Sequence, residues 1–283
     1  METLKGYVRE YGGRPKKSLG QVFLIERSIQ EKILDAAHVC PDDVVVEIGP
    51  GTGTLTRILA SRVKKLFALE IDQELVLYLH ASMGAVSNTR LICMDALHFD
   101  FYRLNSFLGC QPKIIGNLPY SISTPLLFHL IESRHTYELL ILMLQKEVAR
   151  RLIAPPGTKE YGILSVMTQV YMDVSLERYV PRHCFYPVPR VDSAIVMLMP
   201  KQESMITLNE EAVFRSVVHA AFATRRKTLY NSLRASRAIP VKQERLHGIL
   251  KSLSIDPNRR GETLQIEEFV CLARRIREEI MSV

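Results

Sequence analysis

Between residue 42 and about residue 145 the chain alternates short, unbroken apolar runs with stretches whose apolar residues recur at helical spacing. The runs DVVVEI (43–48), KLFALEI (65–71), TRLICM (89–94), KIIGN (113–117) and ELLILML (138–144) read as strands. Their hydrophobicity is continuous rather than alternating, the pattern of strands covered on both faces in a parallel sheet. TLTRILASRV (54–63) and QELVLYLHAS (73–82) read as helices between them. This rhythm predicts a doubly wound α/β sheet. Two later runs, VYMDVSLERYV (170–180) and VDSAIVMLMP (191–200), are joined by a proline-rich loop too short for a helix, so they are expected to pair antiparallel. PKQESMITLN (200–209) reads as a linker, and the remainder is helical, most clearly over EEAVFRSVVHAAF (210–222) and IEEFVCLARRIREEI (266–280). The expected organisation is a flexible basic segment (1–17), an α/β domain (18–203) and a smaller all-helical domain (204–283).

Composition narrows the class. With 283 residues, 47% hydrophobic and 24% charged, the chain can bury a sizeable core. No apolar run approaches the roughly 18 residues that span a bilayer, and METLKGYVREYGGRPKKS has no apolar core of a secretory signal. The five cysteines lack CxxC spacing, which argues for a reducing compartment and against a zinc site or disulfide framework. A cytoplasmic protein with no membrane partner and no metal is expected. The net charge of +7 matters less than its distribution. FATRRKTLYNSLRASR (222–237) carries Arg225, Arg226, Lys227, Arg234 and Arg237 without one acid. Uncompensated charge of this kind suits phosphate, although a solvated helical face has the same composition.

VVVEIGPGTGTLT (44–56) puts Gly49, Gly51 and Gly53 between a buried strand and a helix, where a glycine lets backbone approach a ligand. Thr54 stands where G-x-G-x-x-G needs a glycine, which counts against NAD, and GK[ST] is absent, which excludes a P-loop. The next strand ends at Glu70, placed to accept ribose hydroxyls. The third leads to Asp95, which can receive an exocyclic amine, and the fourth ends at Asn117. Asp72 and Asp100 read as ordinary helix caps. Four successive strand ends facing one crevice point to an adenosine-type ligand, S-adenosylmethionine.

SLGQVFL (18–24), EIGPGTGTLT, ALEID, NLPYSISTPL (117–126), MLQKEVARRL (143–152), FYPVPRVDS (185–193) and FATRRKTLYNSL (222–233) resemble, in order and spacing, the KsgA family of rRNA adenine N6,N6-dimethyltransferases of the small-subunit type. The resemblance covers roughly residues 14–270. It implies a Rossmann-like S-adenosylmethionine-dependent methyltransferase domain with a helical RNA-binding domain after it. The implied substrate is two adjacent adenosines near the 3′ end of small-subunit rRNA within a pre-ribosomal particle, and a monomer is expected. Cofactor contacts are implied for Val22, Leu24, Gly49, Gly51, Glu70, Asp95 and Asn117. The family usually has Asn or His at the position of Val22, so a contact there is limited to backbone or van der Waals.

The chemistry fits these residues. The N6 lone pair of adenine is delocalised into the ring and is a poor nucleophile. The Asn117 side-chain oxygen and the Pro119 carbonyl can accept both N–H bonds, fixing the amine and favouring its pyramidal form; positioning of this sort supplies several kcal/mol, up to roughly 7–11 in the best cases. No dedicated general base is required, and none of the eight histidines lies in the motifs. A target base must leave its stack. Tyr120 is expected to offer one aromatic face and Phe185, in a loop stiffened by Pro187 and Pro189, the other. Gln21 is expected to help order the amino-terminal segment over the cofactor. Arg225, Arg226, Lys227 and Asn231 are expected to grip RNA backbone. Two readings compete: an Erm-type methyltransferase of large-subunit rRNA, and a non-catalytic RNA-binding assembly or transcription factor on the same fold.

Overall fold

The structure is a computed structural model that describes residues 2–10, 12–84, 86–224 and 226–282. The chain divides into two compact units, residues 1–149 with 174–200, and residues 150–173 with 201–283. The segment 150–173 therefore groups with the carboxy-terminal helices, although it lies inside the expected α/β span.

The first unit is built on a seven-stranded sheet: β1 (Val44–Ile48), β2 (Lys65–Glu70), β3 (Thr89–Cys93), β4 (Lys113–Asn117), β5 (Leu139–Gln145), β6 (Met172–Val180) and β7 (Ser193–Pro200). Their order is β3-β2-β1-β4-β5-β7-β6, with β1 to β5 parallel and β7 antiparallel to β5. Lys201 N donates to Tyr171 O at one end of the β6–β7 pair, and Arg182 N donates to the Asp192 carboxylate at the other, so these two run antiparallel as expected. The order reverses between β1 and β4, which opens a crevice at their carboxyl ends.

The strands form where the continuous apolar runs are: β4 and β5 are buried along nearly their whole length. Helices α1 (Glu2–Glu10), α2 (Arg27–Ala36), α3 (Thr54–Arg62), α4 (Gln73–Met83), α5 (Phe101–Leu108) and α6 (Ser123–Glu132) also belong to this unit. Ile33 and Leu34 of α2 and Leu55 and Leu59 of α3 join Val45, Ile115 and Ile141 in one core. Asp72 and Asp100 cap α4 and α5, accepting from Glu74 N and Arg103 N.

The amino-terminal segment departs from expectation. It is not a flexible lead-in over residues 2–10 but the helix α1, whose Leu4 and Tyr7 pack with Phe23, Leu75, Tyr78 and Leu79. The physical reason is a pair of apolar residues one helical turn apart, a signal too short to stand out beside the charge around it.

The second unit is helical, and among its described residues after Pro200 there is no strand. The helix Glu211–Phe222 buries Phe214, Val217 and Val218, and the helix Ile266–Met281 buries Phe269, Leu272 and Ile276. Phe222 stacks on Phe269 with ring centroids 5.8 Å apart. Arg274 donates to Glu210 at 2.9 Å, and Tyr161 OH to Leu264 O at 2.9 Å.

Candidate active site

A cleft lies at the carboxyl ends of β1, β2 and β4, wholly within the first unit, and encloses about 830 Å³ counted to its open mouth. The loop after β1 shapes its floor. Gly49 has φ 72°, and a Cβ there would sit 3.3 Å from the Asn117 carbonyl oxygen. Gly51 has φ 56°, and a Cβ would come 2.9 Å from the Phe23 ring. Both positions combine left-handed backbone with close packing, so the glycines are required by this turn. They bring bare backbone to the cleft.

Glu70 closes the β2 side. Its Oε2 accepts from Gly51 N at 3.2 Å and its Oε1 from Asp72 N at 3.0 Å. Burial raises its pKa above the usual carboxylate value, while these backbone donors act in the opposite direction. The carboxylate is held rigidly at the strand tip, the position that faces ribose hydroxyls in this architecture.

Asn117, at the end of β4, supplies the most informative contact. Its side-chain Nδ2 donates to the Val22 carbonyl at 3.0 Å. That bond fixes which way the amide points and leaves Oδ1 as a free acceptor. Pro119 O accepts from Ile122 N at 3.2 Å, which uses one of its two lone pairs. Tyr120 is half-buried, and its hydroxyl shares a 2.9 Å hydrogen bond with Ser193 Oγ at the start of β7. Burial pushes the Tyr120 hydroxyl up, so the ring stays neutral. Asn117, Pro119 and Tyr120 all line the cleft, as do Val22, Leu24, Gly49, Gly51 and Glu70.

Two expected residues stand elsewhere. Phe185 is 1% exposed and packs in the core with Leu24 and Val180, so its ring does not present a face to a substrate. Its two-residue strand pairs with Phe23–Leu24, in register with Leu24, and that pairing turns the side chain inward. Asp95 does not line the cleft in this structure; its Oδ1 accepts from Leu97 N at 2.9 Å and caps a single helical turn. In the second unit Arg226, Lys227 and Asn231 are exposed, the first two in the loop after the helix Glu211–Phe222. Arg225 lies outside the described residues.

The structure joins Gln21 and Asp72, both marked in the sequence, to Lys16, which was not. Gln21 Nε2 donates to Asp72 Oδ2 at 2.7 Å, and Lys16 Nζ to Asp72 Oδ1 at 2.8 Å. Gln21 Oε1 in turn accepts from Lys16 N at 2.8 Å. Burial would raise the Asp72 carboxyl, but the donors from Lys16, Gln21 and Glu74 outweigh it and hold the group below its ordinary value. Asp72 is thus a buried latch for residues 16–21 as well as a cap, and Gly20 to Leu24 then run along the cleft. Glu47, on β1, also lines the cleft; the signal for it was a lone acid in a run otherwise buried on both sides.

Residues 12–272 match the family described as ribosomal RNA adenine dimethylase. This chain belongs to that family. It is 44% identical over 276 residues (96% of this chain, 94% of the relative) to a ribosomal RNA small subunit methyltransferase A from Bacillus mycoides. It is 42% identical over 268 residues (94% and 97%) to the protein of the same name from Geobacter metallireducens. Among solved structures it resembles a dimethyladenosine transferase from Plasmodium falciparum, with TM-score 0.78 and 28% identity over 91% of this chain and 98% of that one. It also resembles the 23S rRNA methyltransferase ErmE, with TM-score 0.66 and 26% identity over 90% and 99%.

The dimethylase is a methyltransferase whose methyl donor is S-adenosyl-L-methionine, and the cleft fits that group. The bare glycine backbone, the rigid Glu70 carboxylate and the free Asn117 Oδ1 offer acceptors and close approach. Among the described lining residues there is no Lys, Arg or His, which suits a cofactor of net positive charge. The expected fold class, a Rossmann-like methyltransferase domain followed by helices, is the one observed. No described helix is long and apolar enough to cross a membrane.

Proposed function

We propose that this protein dimethylates the N6 amines of two adjacent adenosines in a loop near the 3′ end of small-subunit rRNA. It does so as a cytoplasmic monomer, without a metal, on RNA within a pre-ribosomal particle. The observation that carries the reading is the Asn117–Val22 hydrogen bond, which turns Oδ1 toward an incoming donor. Adenine N6 carries two N–H bonds, and Asn117 Oδ1 with the remaining lone pair of Pro119 O supplies two acceptors. Accepting hydrogen bonds from both N–H groups holds the amine still and draws its lone pair out of ring conjugation. S-Adenosylmethionine, when bound, supplies an electrophilic methyl group on sulfur. The methylated amine is acidic enough to lose its proton to water, so the chain needs to orient the base and exclude other nucleophiles rather than provide a base.

Tyr120, pinned by Ser193, offers the aromatic face for a base drawn out of its stack. With Phe185 in the core, that face is on one side only. The exposed Arg226, Lys227 and Asn231 supply contacts to RNA backbone that position without reading sequence, and Arg225 extends the same basic run. Curated relatives at 42–44% identity over nearly the full chain are named for the small subunit, which favours it over the large-subunit reading. The intact Asn117, Pro119, Tyr120, Glu70 and glycine set favours catalysis over a binding-only role.

Asn117→Ala tests the orientation step. Methyl transfer should fall by at least about 100-fold, the scale of a lost positioning contact, while equilibrium binding of S-adenosylmethionine stays within a few-fold. Unchanged turnover would refute the role given to this side chain.

A further inference from the structure

Phe185 turns into the core, and its neighbour Tyr186 does the opposite. Phe23–Leu24 and Phe185–Tyr186 form an antiparallel ribbon in which Leu24 is opposite Phe185 and Phe23 is opposite Tyr186. Successive residues of a strand point to opposite sides, so burying Phe185 sends Tyr186 outward. Tyr186 is 47% exposed. Its Cβ stands about 5 Å from that of Phe23, the residue directly opposite, and Phe23 lines the cleft. The chain then runs through residues 187–192 to Ser193, whose Oγ shares the 2.9 Å hydrogen bond with the Tyr120 hydroxyl. Both ends of this loop are fixed to walls of the cleft, and chain length keeps each of its residues within about 13 Å of one end.

The loop is apolar where it meets solvent. Pro187, Val188 and Val191 are exposed together with Tyr186. Apolar side chains grouped beside a cleft mark an interaction surface, unlike singly scattered ones. The exposed charges around them are positive, from Arg182 and Arg190. The loop's acid, Asp192, is occupied with backbone: its carboxylate accepts from Arg182 N at 3.1 Å, and its carbonyl from Lys146 N at 3.0 Å. Those two bonds and the Tyr120–Ser193 bond hold the loop in place. An aromatic face with aliphatic neighbours and a cation suits an unstacked nucleotide of single-stranded RNA. A protein partner would account for the apolar residues but not for their continuity with the cleft.

Two adjacent adenosines cannot both place N6 on Asn117 Oδ1 and Pro119 O at once. While one is in the cleft, the other is left beside its mouth with a bare apolar face. We propose that Tyr186, with Val188 next to it, is the platform on which that second adenosine stacks, and that Arg190 meets the phosphate joining the two. The first unit then carries a nucleotide subsite of its own, in addition to the basic run at 225–231. This inference rests on the adjacent-adenosine reading of the substrate and adds where the waiting base is held.

Initial rates with labelled S-adenosylmethionine on unmodified small ribosomal subunits give KM for the subunit and kcat. Tyr186→Ala should raise that KM about 5- to 150-fold, the range for one lost base–aromatic stack. Tyr186→Phe keeps the face and should stay within about twofold of wild type. Affinity for S-adenosylmethionine and the unfolding midpoint should be unchanged in both variants, which separates a lost contact from a damaged fold. Ultraviolet irradiation of the wild-type complex should join a nucleotide to Tyr186 in the tryptic peptide 183–190. An unchanged KM in Tyr186→Ala overturns the proposal. A raised KM with no nucleotide on that peptide assigns the surface to a ribosomal protein and overturns it as well. Should Tyr186→Ala fail to fold, Arg190→Ala decides: the log–log salt slope of subunit binding should shrink by about 0.7, and an unaltered slope refutes the subsite. If the wild type transfers nothing to small subunits, the substrate reading fails and this inference with it. Wild-type transfer beside an indifferent Tyr186→Ala sinks the inference alone.

Discussion

Glu47 on β1 is 3% exposed, and burial pushes its carboxyl up to about 8, which Glu47→Gln and thermal unfolding of the cofactor-free protein can test. Moving a carboxyl from 4.5 to about 8 disfavours its ionised form in the folded state by roughly 5 kcal/mol. Between those values the folded protein holds a proton that the unfolded chain has lost. Stability from this group is therefore fully present below about pH 4.5 and is lost as pH rises through about 8. From pH 6 to pH 7.5 the loss is about 2 kcal/mol, at about 1.4 kcal/mol per pH unit. For a chain of this size that lowers the unfolding midpoint by about 4–8 °C. Glu47→Gln cannot titrate and should lack this component, while the histidines and other carboxyls contribute equally to both proteins. The assay is circular dichroism melting at the two pH values without cofactor. If both proteins show the same pH-dependent drop, Glu47 is not held as a neutral acid.

Phe185→Ala should behave as a core truncation, costing about 3–5 kcal/mol in denaturant unfolding, because the ring is fully buried; unchanged stability with lost methyl transfer would return it to the substrate face. Asp72→Asn removes the charge that holds Lys16 and weakens the acceptor for Gln21. Since Lys16 is partly exposed, the loss is held to roughly 1–2 kcal/mol, so residues 16–21 should open about 5- to 30-fold more often. Trypsin cleavage after Lys16 and Lys17 under native conditions measures this, and an unchanged cleavage rate would show that the latch does not hold the segment.

The seven strands of the large sheet were legible within a residue or two. Of these, β1, β2, β4, β5 and β7 are largely apolar runs buried along most of their length, whereas β3 and β6 are partly exposed. The two-residue strands Phe23–Leu24 and Phe185–Tyr186 were not marked. Gly49, Gly51, Glu70 and Asn117 were legible for a related reason: each stands where such a run stops, and strand ends of this topology meet at one crevice. Helices α2, α5 and α6 were not marked, since their apolar residues mix with polar ones over barely ten positions. The prolines after Phe185 suggested an exposed wall, whereas a two-residue pairing with Leu24 decides its burial. Asp72 looked like a cap and is one, but its partner Lys16 is 56 residues away, a relation that no local pattern carries. Glu47 was hidden inside VVVEI because the run as a whole reads as core; its meaning lies in what surrounds it on α2 and α3.

The most direct test of the central claim is to incubate the protein with labelled S-adenosylmethionine and unmodified small or large ribosomal subunits, then map the product. The account predicts two N6,N6-dimethyladenosines side by side near the 3′ end of small-subunit rRNA, and no label in the large subunit. Label in large-subunit rRNA, or no transfer to either subunit beside an active control enzyme, would contradict it.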